Sequence, residues 1–151
     1  MDGSAQEMMK YAIYQTGPLF TAAEQAWHRD LSAQLRAAGH SVIWPGSSLM
    51  GNKQICEAWP NALGLIFNTG LHALSHCNCV VALLGGTHVD DGTAWEIGYA
   101  YAKGLPIYGI NTDYRVAGGT RHIRVNSMIE ECLTQMVNDI PNLLQCLQKK
   151  R

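Results

Sequence analysis

Short apolar runs alternate along this chain with longer segments in which apolar residues recur every three or four positions. The short runs predict four β-strands, at residues 11–14, 41–44, 79–84 and 106–110. The longer segments predict five helices, at residues 22–38, 61–75, 93–103, 126–137 and 141–148. Loops are expected at residues 46–60, with a short helix near Ile55, and at 111–125. This alternation is typical of a parallel sheet with helices on both faces.

The predicted fold is an α/β domain with a flavodoxin-like (Rossmann-like) sheet of four or five strands. The expected strand order is 2-1-3-4, with a fifth strand, if present, after the fourth. In that order the loops after strands one and three, at residues 15–20 and 85–92, border one crevice at the edge of the sheet. Tyr14, Asp90 and Glu96 are therefore expected to converge on this crevice.

Composition limits which binding partners and which cellular compartment are expected for this protein. The length suits a single domain, spanning residues 1–151. A net charge of -1 without any basic block argues against nucleic acid as a partner. No apolar run is long enough to span a membrane, and residues 1–10 carry no apolar signal segment, so a cytoplasmic protein is expected. In that compartment the five cysteines are expected as thiols rather than disulfides.

Residues 90–104 carry the strongest helix signals in the chain. Thr93 is expected as the N-cap, and Glu96 three residues later completes a capping box. Glu96 would then lie in the first turn of a helix just beyond a buried strand, where the helix N-terminus would keep its carboxylate ionised.

Glu96 has two interpretations from the residues alone: it caps its helix, or it acts in the crevice. Asp90 and Asp91 stand just upstream, and three carboxylates within seven residues repel one another unless protons, cations or hydrogen bonds compensate. A glutamate at the end of a buried strand can attack an anomeric carbon, and the hydroxyl of Tyr14 can hold it in place. This favours retaining glycoside chemistry through a covalent sugar–enzyme intermediate.

Other site chemistries have weaker support. The chain has neither glycine-rich phosphate-binding motif, and the acidic loop disfavours a nucleotide phosphate, so a neutral sugar or nucleoside fits better. His72, His76, Cys77 and Cys79 form a partial zinc pattern, but the two cysteines are one residue apart and partly in a strand, which splits their directions. Buried thiols and surface histidines are the ordinary alternative, and nothing nearby activates a cysteine nucleophile. No metal site is predicted.

Three stretches resemble the nucleoside 2-deoxyribosyltransferase family: Ile13-Tyr14 before Gly-Pro-Leu-Phe at 17–20, Asp-Asp-Gly-Thr-Ala-Trp-Glu-Ile-Gly at 90–98, and Asn-Ser-Met-Ile at 126–129. The second of these is the most specific, and the resemblance covers most of the chain. It implies an enzyme of nucleoside metabolism that cleaves the N-glycosidic bond of a 2′-deoxyribonucleoside and transfers the sugar to an acceptor base. No cofactor or metal is implied.

The same resemblance implies a role for each matching residue. Glu96 would be the nucleophile at C1′, Tyr14 would hydrogen-bond it, and Asp90 would contact the 5′-hydroxyl side of the sugar. Asn126 and Met128 would come from a neighbouring subunit, which implies a homo-oligomer, at least a dimer, with shared active sites. The other residues of the predicted substrate-binding set lie in the same motifs: Thr16, Gly17, Phe20, Asp91 and Gly92.

The chain departs from this family at positions where its members often carry acids, which here are Gly70, Asn78 and Gly85. An Asn-Gln pair often found after the second strand is also missing from residues 45–52. The resemblance therefore predicts the sugar chemistry but not whether the base is a purine or a pyrimidine. Asp91 is one candidate replacement for the missing acid.

Two other functions stay open at this point. Related nucleotide N-glycosidases, in which water takes the sugar, carry serine in place of Asp90 and hold a phosphate with arginine or serines. Asp90 and the lack of arginine in residues 17–20 favour nucleosides instead. The third function is a non-catalytic nucleoside-binding module, with Gly70 recording a loss of activity. Asn126 likewise has a simpler alternative role, as the N-cap of a helix that starts at Ser127.

Overall fold

Strands and helices alternate along the described chain, as the sequence pattern predicts. The computed structural model describes residues 9–46, 62–113 and 125–149. Within these residues the elements follow in this order: β1 (Ala12–Thr16), α1 (Ala22–Ala37), β2 (Ser41–Ile43), α2 (Leu63–Ser75), β3 (Cys79–Leu83), α3 (Asp91–Ala102), β4 (Ile107–Ile110), α4 (Ser127–Glu130), β5 (Gln135–Val137) and α5 (Ile140–Gln148).

These strands form one parallel sheet in the order β2-β1-β3-β4-β5. The flavodoxin-like order is confirmed, with the fifth strand at the edge. Tyr14 on β1 is in register with Ile43 on β2 and with Val80 on β3. Because parallel strands end at the same edge of a sheet, the loops after β1 and β3 lie side by side where the order of strands reverses.

The predicted helix at residues 126–137 is wrong beyond its first turn. Only Ser127–Glu130 are helical, and Gln135–Val137 form the edge strand β5. The chain is turned into this strand by Thr134, whose N–H donates to the carbonyl of Ile107 over 2.7 Å and whose hydroxyl oxygen accepts from the Ile107 N–H over 3.0 Å. These contacts with β4 join residues far apart in the sequence, so the local pattern of residues 126–137 does not reveal them. They favour a strand here although the local pattern favours a helix.

The remaining predicted elements are present, with ends that agree within two residues. The predicted short helix near Ile55, most of the predicted loop at 46–60 and most of the loop at 111–125 lie outside the described residues. None of the described helices combines the length and apolar composition needed to cross a bilayer.

The sheet separates two apolar cores because side chains alternate between the two faces of each strand. On one face, Ile13 and Val81 pack with residues of α1 and α5. On the other face, Tyr14, Val80 and Ala82 pack with residues of α2 and α3. Every residue of β3 is buried, as expected for the central strand of a covered parallel sheet. The functional side chains described next lie at the carboxyl end of β1, on the face covered by α2 and α3.

Candidate active site

The N-terminus of α3 differs from its predicted form. The N-cap is Asp90, not Thr93: Oδ2 of Asp90 accepts from the Thr93 N–H over 3.1 Å and from the Thr93 hydroxyl over 3.2 Å. The helix therefore begins at Asp91, two residues earlier than predicted, and Glu96 lies in its second turn rather than its first. The predicted capping box of Thr93 and Glu96 is wrong, which leaves the Glu96 carboxylate available for contacts elsewhere.

Both oxygens of the Glu96 carboxylate accept hydrogen bonds from β1. The Tyr14 hydroxyl donates to Oε1 over 2.6 Å, and the Thr16 hydroxyl donates to Oε2. Tyr14 and Thr16 are two positions apart, so they face the same side of the strand. The carboxylate is thereby held in one orientation by two donors on a rigid, central element of the sheet.

Burial sets the ionisation of this pair. Desolvation raises the pKa of Glu96; the hydrogen bonds from Thr16 and Tyr14 lower it, and the charge of Asp90 raises it again, so that the net shift is upward. The effect of the helix N-terminus, which is expected to favour the ionised carboxylate, is opposed here by burial. The pKa of Tyr14 is raised by its own burial and by the Glu96 charge, so Tyr14 remains a neutral donor. A carboxylate with a raised pKa is more basic and less hydrated than one on the surface.

Thr93 connects the two acids of the site. Its hydroxyl oxygen lies 3.4 Å from that of Thr16, while it also donates to Asp90. Asp90, Thr93, Thr16 and Glu96 thus form a chain of contacts across the loops after β1 and β3. The predicted convergence of Tyr14, Asp90 and Glu96 is present, but sequence reasoning gave Thr93 only a capping role and did not assign Thr16 to Glu96.

A cavity of about 410 Å³ opens on Glu96 between α2 and α3. Its lining is mostly apolar: Leu63, Ile66, Phe67, Gly70, Leu71, Leu74, Gly92, Trp95 and Glu96. The rings of Phe67 and Trp95 meet edge to face, with centroids 5.7 Å apart. Gly70, one of the positions where an acid was expected, lies at this site, since a β-carbon there would be 3.5 Å from the Tyr14 hydroxyl oxygen.

The predicted residues in the loop after β1 lie just beyond Thr16. Gly17 adopts φ +145°, and a β-carbon there would lie 2.7 Å from Cβ of Leu83, so only glycine fits. Phe20 is 67% exposed. After β3, Asp91 is exposed and its Oδ1 accepts from the N–H of Gly92 over 2.8 Å.

Asn126 and Met128 do not line the cavity that Glu96 borders. They line a second cavity, of about 870 Å³, beside Ala94, Ile97 and Gly98, whereas Glu96 borders the first cavity. Asn126 is the N-cap of α4, with Oδ1 accepting from the Met128 N–H over 2.9 Å, so its capping role is confirmed. Met128 is 78% exposed.

The histidine and cysteine pattern does not converge on one point. His72 and His76 are exposed, whereas Cys77 and Cys79 are buried in the cores on opposite faces of the sheet. In the described part of the chain, no three His, Cys, Asp or Glu side chains are grouped so as to hold a metal ion. Burial raises the pKa of Cys77 to about 11, so its thiol is not an activated nucleophile.

The other two positions where acids were expected, Asn78 and Gly85, lie away from the contacts of Glu96 with Tyr14 and Thr16. Asn78 links strands, because its Oδ1 accepts from the Ala12 N–H over 2.8 Å and its own N–H donates to the Ala12 carbonyl. A β-carbon at Gly85 would meet nothing within 4 Å.

Sequence comparison decides the family. Residues 13–140 match the profile of the nucleoside 2-deoxyribosyltransferases. The chain belongs to this family. No curated protein sequence gives a significant match. Pentosyl transfer is the chemistry of the family, and the geometry around Glu96 lies within the matched residues.

Solved structures share the fold over nearly the whole chain. A conserved protein from Enterococcus faecalis is 27% identical, with a TM-score of 0.73 over 93% of this chain and 97% of that one. A 2-deoxyribosyltransferase from Bacillus psychrosaccharolyticus is 21% identical, with a TM-score of 0.74 over 94% of this chain and 98% of that one. A CMP N-glycosidase from Clostridium botulinum is 19% identical, with a TM-score of 0.53 over 93% of this chain and 100% of that one. At these identities the last two show the common fold alone.

Proposed function

We propose that this family member is a nucleoside 2-deoxyribosyltransferase that works through a covalent deoxyribosyl–Glu96 intermediate. The observation that carries this mechanism is the Glu96 carboxylate, which accepts hydrogen bonds from Tyr14 and Thr16 while it borders an open cavity. A nucleophile for an anomeric carbon needs a fixed orientation, little hydration and space for the sugar beside it. Glu96 meets these three requirements.

The reaction has two displacements at C1′ of the sugar. In the first, a Glu96 oxygen forms a bond to C1′ while the N-glycosidic bond breaks, and the electron pair leaves with the base, which takes a proton from solvent. In the second, a nitrogen of the acceptor base forms a bond to C1′, the ester bond breaks with its electron pair returning to the Glu96 carboxylate, and the incoming base loses its proton to solvent. Two inversions retain the configuration at C1′.

The charges and the lining of the site favour a neutral nucleoside over a nucleotide. Asp90 is proposed to bind the 5′-hydroxyl side of the sugar, and Asp90 and Asp91 together would repel a 5′-phosphate. Phe67 and Trp95 provide an apolar, aromatic wall suited to a flat base. Gly17, Phe20 and Gly92 stay in the proposed binding set as members of the loops around the carboxylate.

The proposal includes a homo-oligomer, at least a dimer. Around the Glu96 cavity, α2 and α3 expose three large apolar side chains: Leu63, Phe67 and Trp95. Exposed apolar residues that cluster in this way are typical of an interaction surface. Since Asn126 and Met128 line a different cavity from Glu96 in their own chain, they are proposed to complete the site of a neighbouring copy.

One assay tests the reaction class. The protein is incubated with deoxyinosine, with and without free adenine, and products are separated by chromatography, with Glu96→Gln as the matched control. Deoxyadenosine that forms only with adenine and only with wild type supports transfer. Free deoxyribose without adenine would instead favour hydrolysis, and unchanged substrate in protein that still binds it would favour a binding module.

Subunit mixing tests the shared site. Glu96→Gln and Asn126→Ala chains, each of low activity, are mixed under conditions of proven subunit exchange. If sites are shared in a dimer, roughly a quarter of wild-type activity should return, because mixed dimers contain one intact pocket. No recovery would mean that each chain builds its own site and that Asn126 acts only as the cap of α4.

A further inference from the structure

A buried polar cluster lies on the face of the sheet opposite Glu96. Gln15 and His28 are both 0% exposed, and Ser32 beside them is also buried. Their neighbours on this face form the apolar core between the sheet, α1 and α5. Polar side chains in such surroundings are costly unless their hydrogen bonds are made, and a connected cluster of this kind holds its members in fixed positions.

The contacts of His28 assign its protonation state and tautomer. Nε2 lies 3.0 Å from the Pro18 carbonyl oxygen, which can only accept, so Nε2 carries the hydrogen and donates. Nδ1 lies 3.0 Å from Nε2 of Gln15, an amide donor, so Nδ1 accepts. The second amide hydrogen of Gln15 is donated to the His28 carbonyl over 2.9 Å, and the Ser32 hydroxyl donates to Oε1 of Gln15 over 2.9 Å. Burial lowers the pKa of His28, in agreement with a neutral ring.

Packing restricts the imidazole ring of His28 to one orientation. It stacks on Trp44, with ring centroids 5.0 Å apart, and meets Trp27 edge to face at 5.5 Å. A β-carbon at Gly17 would lie 3.0 Å from Cε1 of His28, so the ring also touches the backbone of the loop after β1. The ring cannot turn without moving this loop.

The loop at residues 17–20 is held to α1 at successive backbone groups. His28 binds the carbonyl of Pro18, and Nε2 of Gln25 donates to the carbonyl of Leu19 over 3.0 Å. The N–H groups of Phe20 and Thr21 donate to the carboxylate of Glu24. Three side chains of α1 make these contacts: Glu24, Gln25 and His28. His28 alone among them is fully buried, and it also hydrogen-bonds the side chain of Gln15 on β1.

Gln15 connects this cluster to the site. It stands between Tyr14 and Thr16, the two donors to Glu96, and its side chain points to the other face of the strand. We infer that His28 is a positioning residue for the proposed reaction: by fixing Gln15 and the Pro18 carbonyl, it sets the end of β1 and thereby the Tyr14 and Thr16 hydroxyls on Glu96. Only the predicted effect of His28 on turnover rests on the proposed function.

A matched pair of substitutions tests the inference. His28→Gln keeps an amide Nε2 with the reach of the imidazole Nε2, whereas His28→Met has a similar length without a donor. With deoxyinosine and adenine, kcat of His28→Met should fall roughly tenfold to hundredfold, since small misplacements of reacting groups have effects of that size. His28→Gln should recover most of kcat. Equal kcat in wild type and His28→Met overturns the inference.

Two further measurements separate positioning from general destabilisation. Leu147→Ala removes a buried side chain of α5 from the same core without touching the loop, and each variant is assayed well below its Tm. A loss of kcat in Leu147→Ala as large as in His28→Met would show that stability, not position, is responsible. If His28→Met does not fold, Gln15→Met removes the Nδ1 partner from the other side and should lower kcat in the same way.

Amide hydrogen exchange gives a readout that does not depend on turnover. Amides of residues 19–21 should exchange faster in His28→Met than in wild type, and close to wild type in His28→Gln. Unchanged exchange in His28→Met overturns the inference even if the wild-type protein proves inactive on nucleosides. If wild type is inactive but exchange behaves as expected, the proposed function fails and the loop contact of His28 stands.

Discussion

Two helices of this protein carry nearly the same four residues near their N-termini and use them differently. Residues 21–24 before and within α1 read Thr-Ala-Ala-Glu, and residues 93–96 within α3 read Thr-Ala-Trp-Glu. At α1 a capping box forms: the Glu24 N–H donates to the Thr21 hydroxyl over 3.1 Å, and the Thr21 N–H donates to Glu24 over 2.8 Å. At α3 no such box forms, and Glu96 binds Tyr14 and Thr16 instead.

The difference comes from one residue upstream and from the strand beside the helix. The Asp90 side chain accepts a hydrogen bond from the N–H of Thr93, so α3 begins at Asp91 and Thr93 already lies inside the helix. Glu96 then meets two hydroxyl groups of β1, whereas Glu24 stays at the exposed start of its helix. The Glu96 carboxylate is free of capping and held by two donors of β1, as the proposed reaction requires, whereas the Glu24 carboxylate is occupied by its cap.

The largest effect should come from replacing each glutamate by glutamine. Glu96→Gln should lower kcat for deoxyribosyl transfer by about a thousandfold or more, because a neutral amide is not a nucleophile. Glu24→Gln keeps an acceptor for the cap and should change kcat far less. Steady-state rates of the two variants, with circular dichroism to confirm folding, decide the point. Similar losses in both variants would mean that the two glutamates are not functionally distinct.

The two donors to Glu96 can be removed one at a time. Tyr14→Phe and Thr16→Val should each lower kcat roughly tenfold to hundredfold, since the nucleophile remains but is less well oriented. Desolvation raises the pKa of Glu96 and these hydrogen bonds lower it, so removing either should raise that pKa further. The acid limb of the kcat/KM profile should therefore move to higher pH in both variants. An unmoved limb would show that the limb reports a different group.

Asp90 can be changed to test why α3 has no capping box. Asp90→Ala should cost about 1 kcal/mol of unfolding free energy, and Asp90→Asn should recover most of that because asparagine caps equally well. Denaturant unfolding of both variants measures this. If Glu96 instead formed a capping box with Thr93 in Asp90→Ala, this variant would lose little stability. Glu96 would then no longer contact Tyr14, and a crystal structure of the variant would show the change.

The smallest expected effect concerns stability and pH. Because the pKa of Glu96 is raised in the folded protein, its contribution to stability is fully present below the ordinary glutamate value of 4.5 and is lost as pH rises through the folded pKa. At pH 7, Glu96→Gln should therefore be more stable than wild type, and the difference should shrink as the pH falls toward 4.5. Urea unfolding at several pH values tests the sign. A variant less stable than wild type at pH 7 would contradict it.

Much of the fold was predictable because its signals are local. Apolar runs marked four strands, and helical spacing placed the start of α5 within one residue. The edge strand β5 was not predicted, since its three residues have no alternating pattern that distinguishes them from the end of a helix. Its position depends on the contact of Thr134 with Ile107, a partner 27 residues away.

The sequence by itself determined the alternating α/β pattern and the identity of the acids at the crevice, because these follow from short-range periodicity and from motif residues. Tertiary structure decided which glutamate caps and which one is held by β1. Thr21 and Glu24 are three residues apart, whereas Tyr14 and Glu96 are 82 apart. Tertiary structure also decided the tautomer of His28, which depends on Pro18 and Gln15 together. Such roles arise from buried partners brought together only by folding, and a buried polar group takes whichever partner satisfies it.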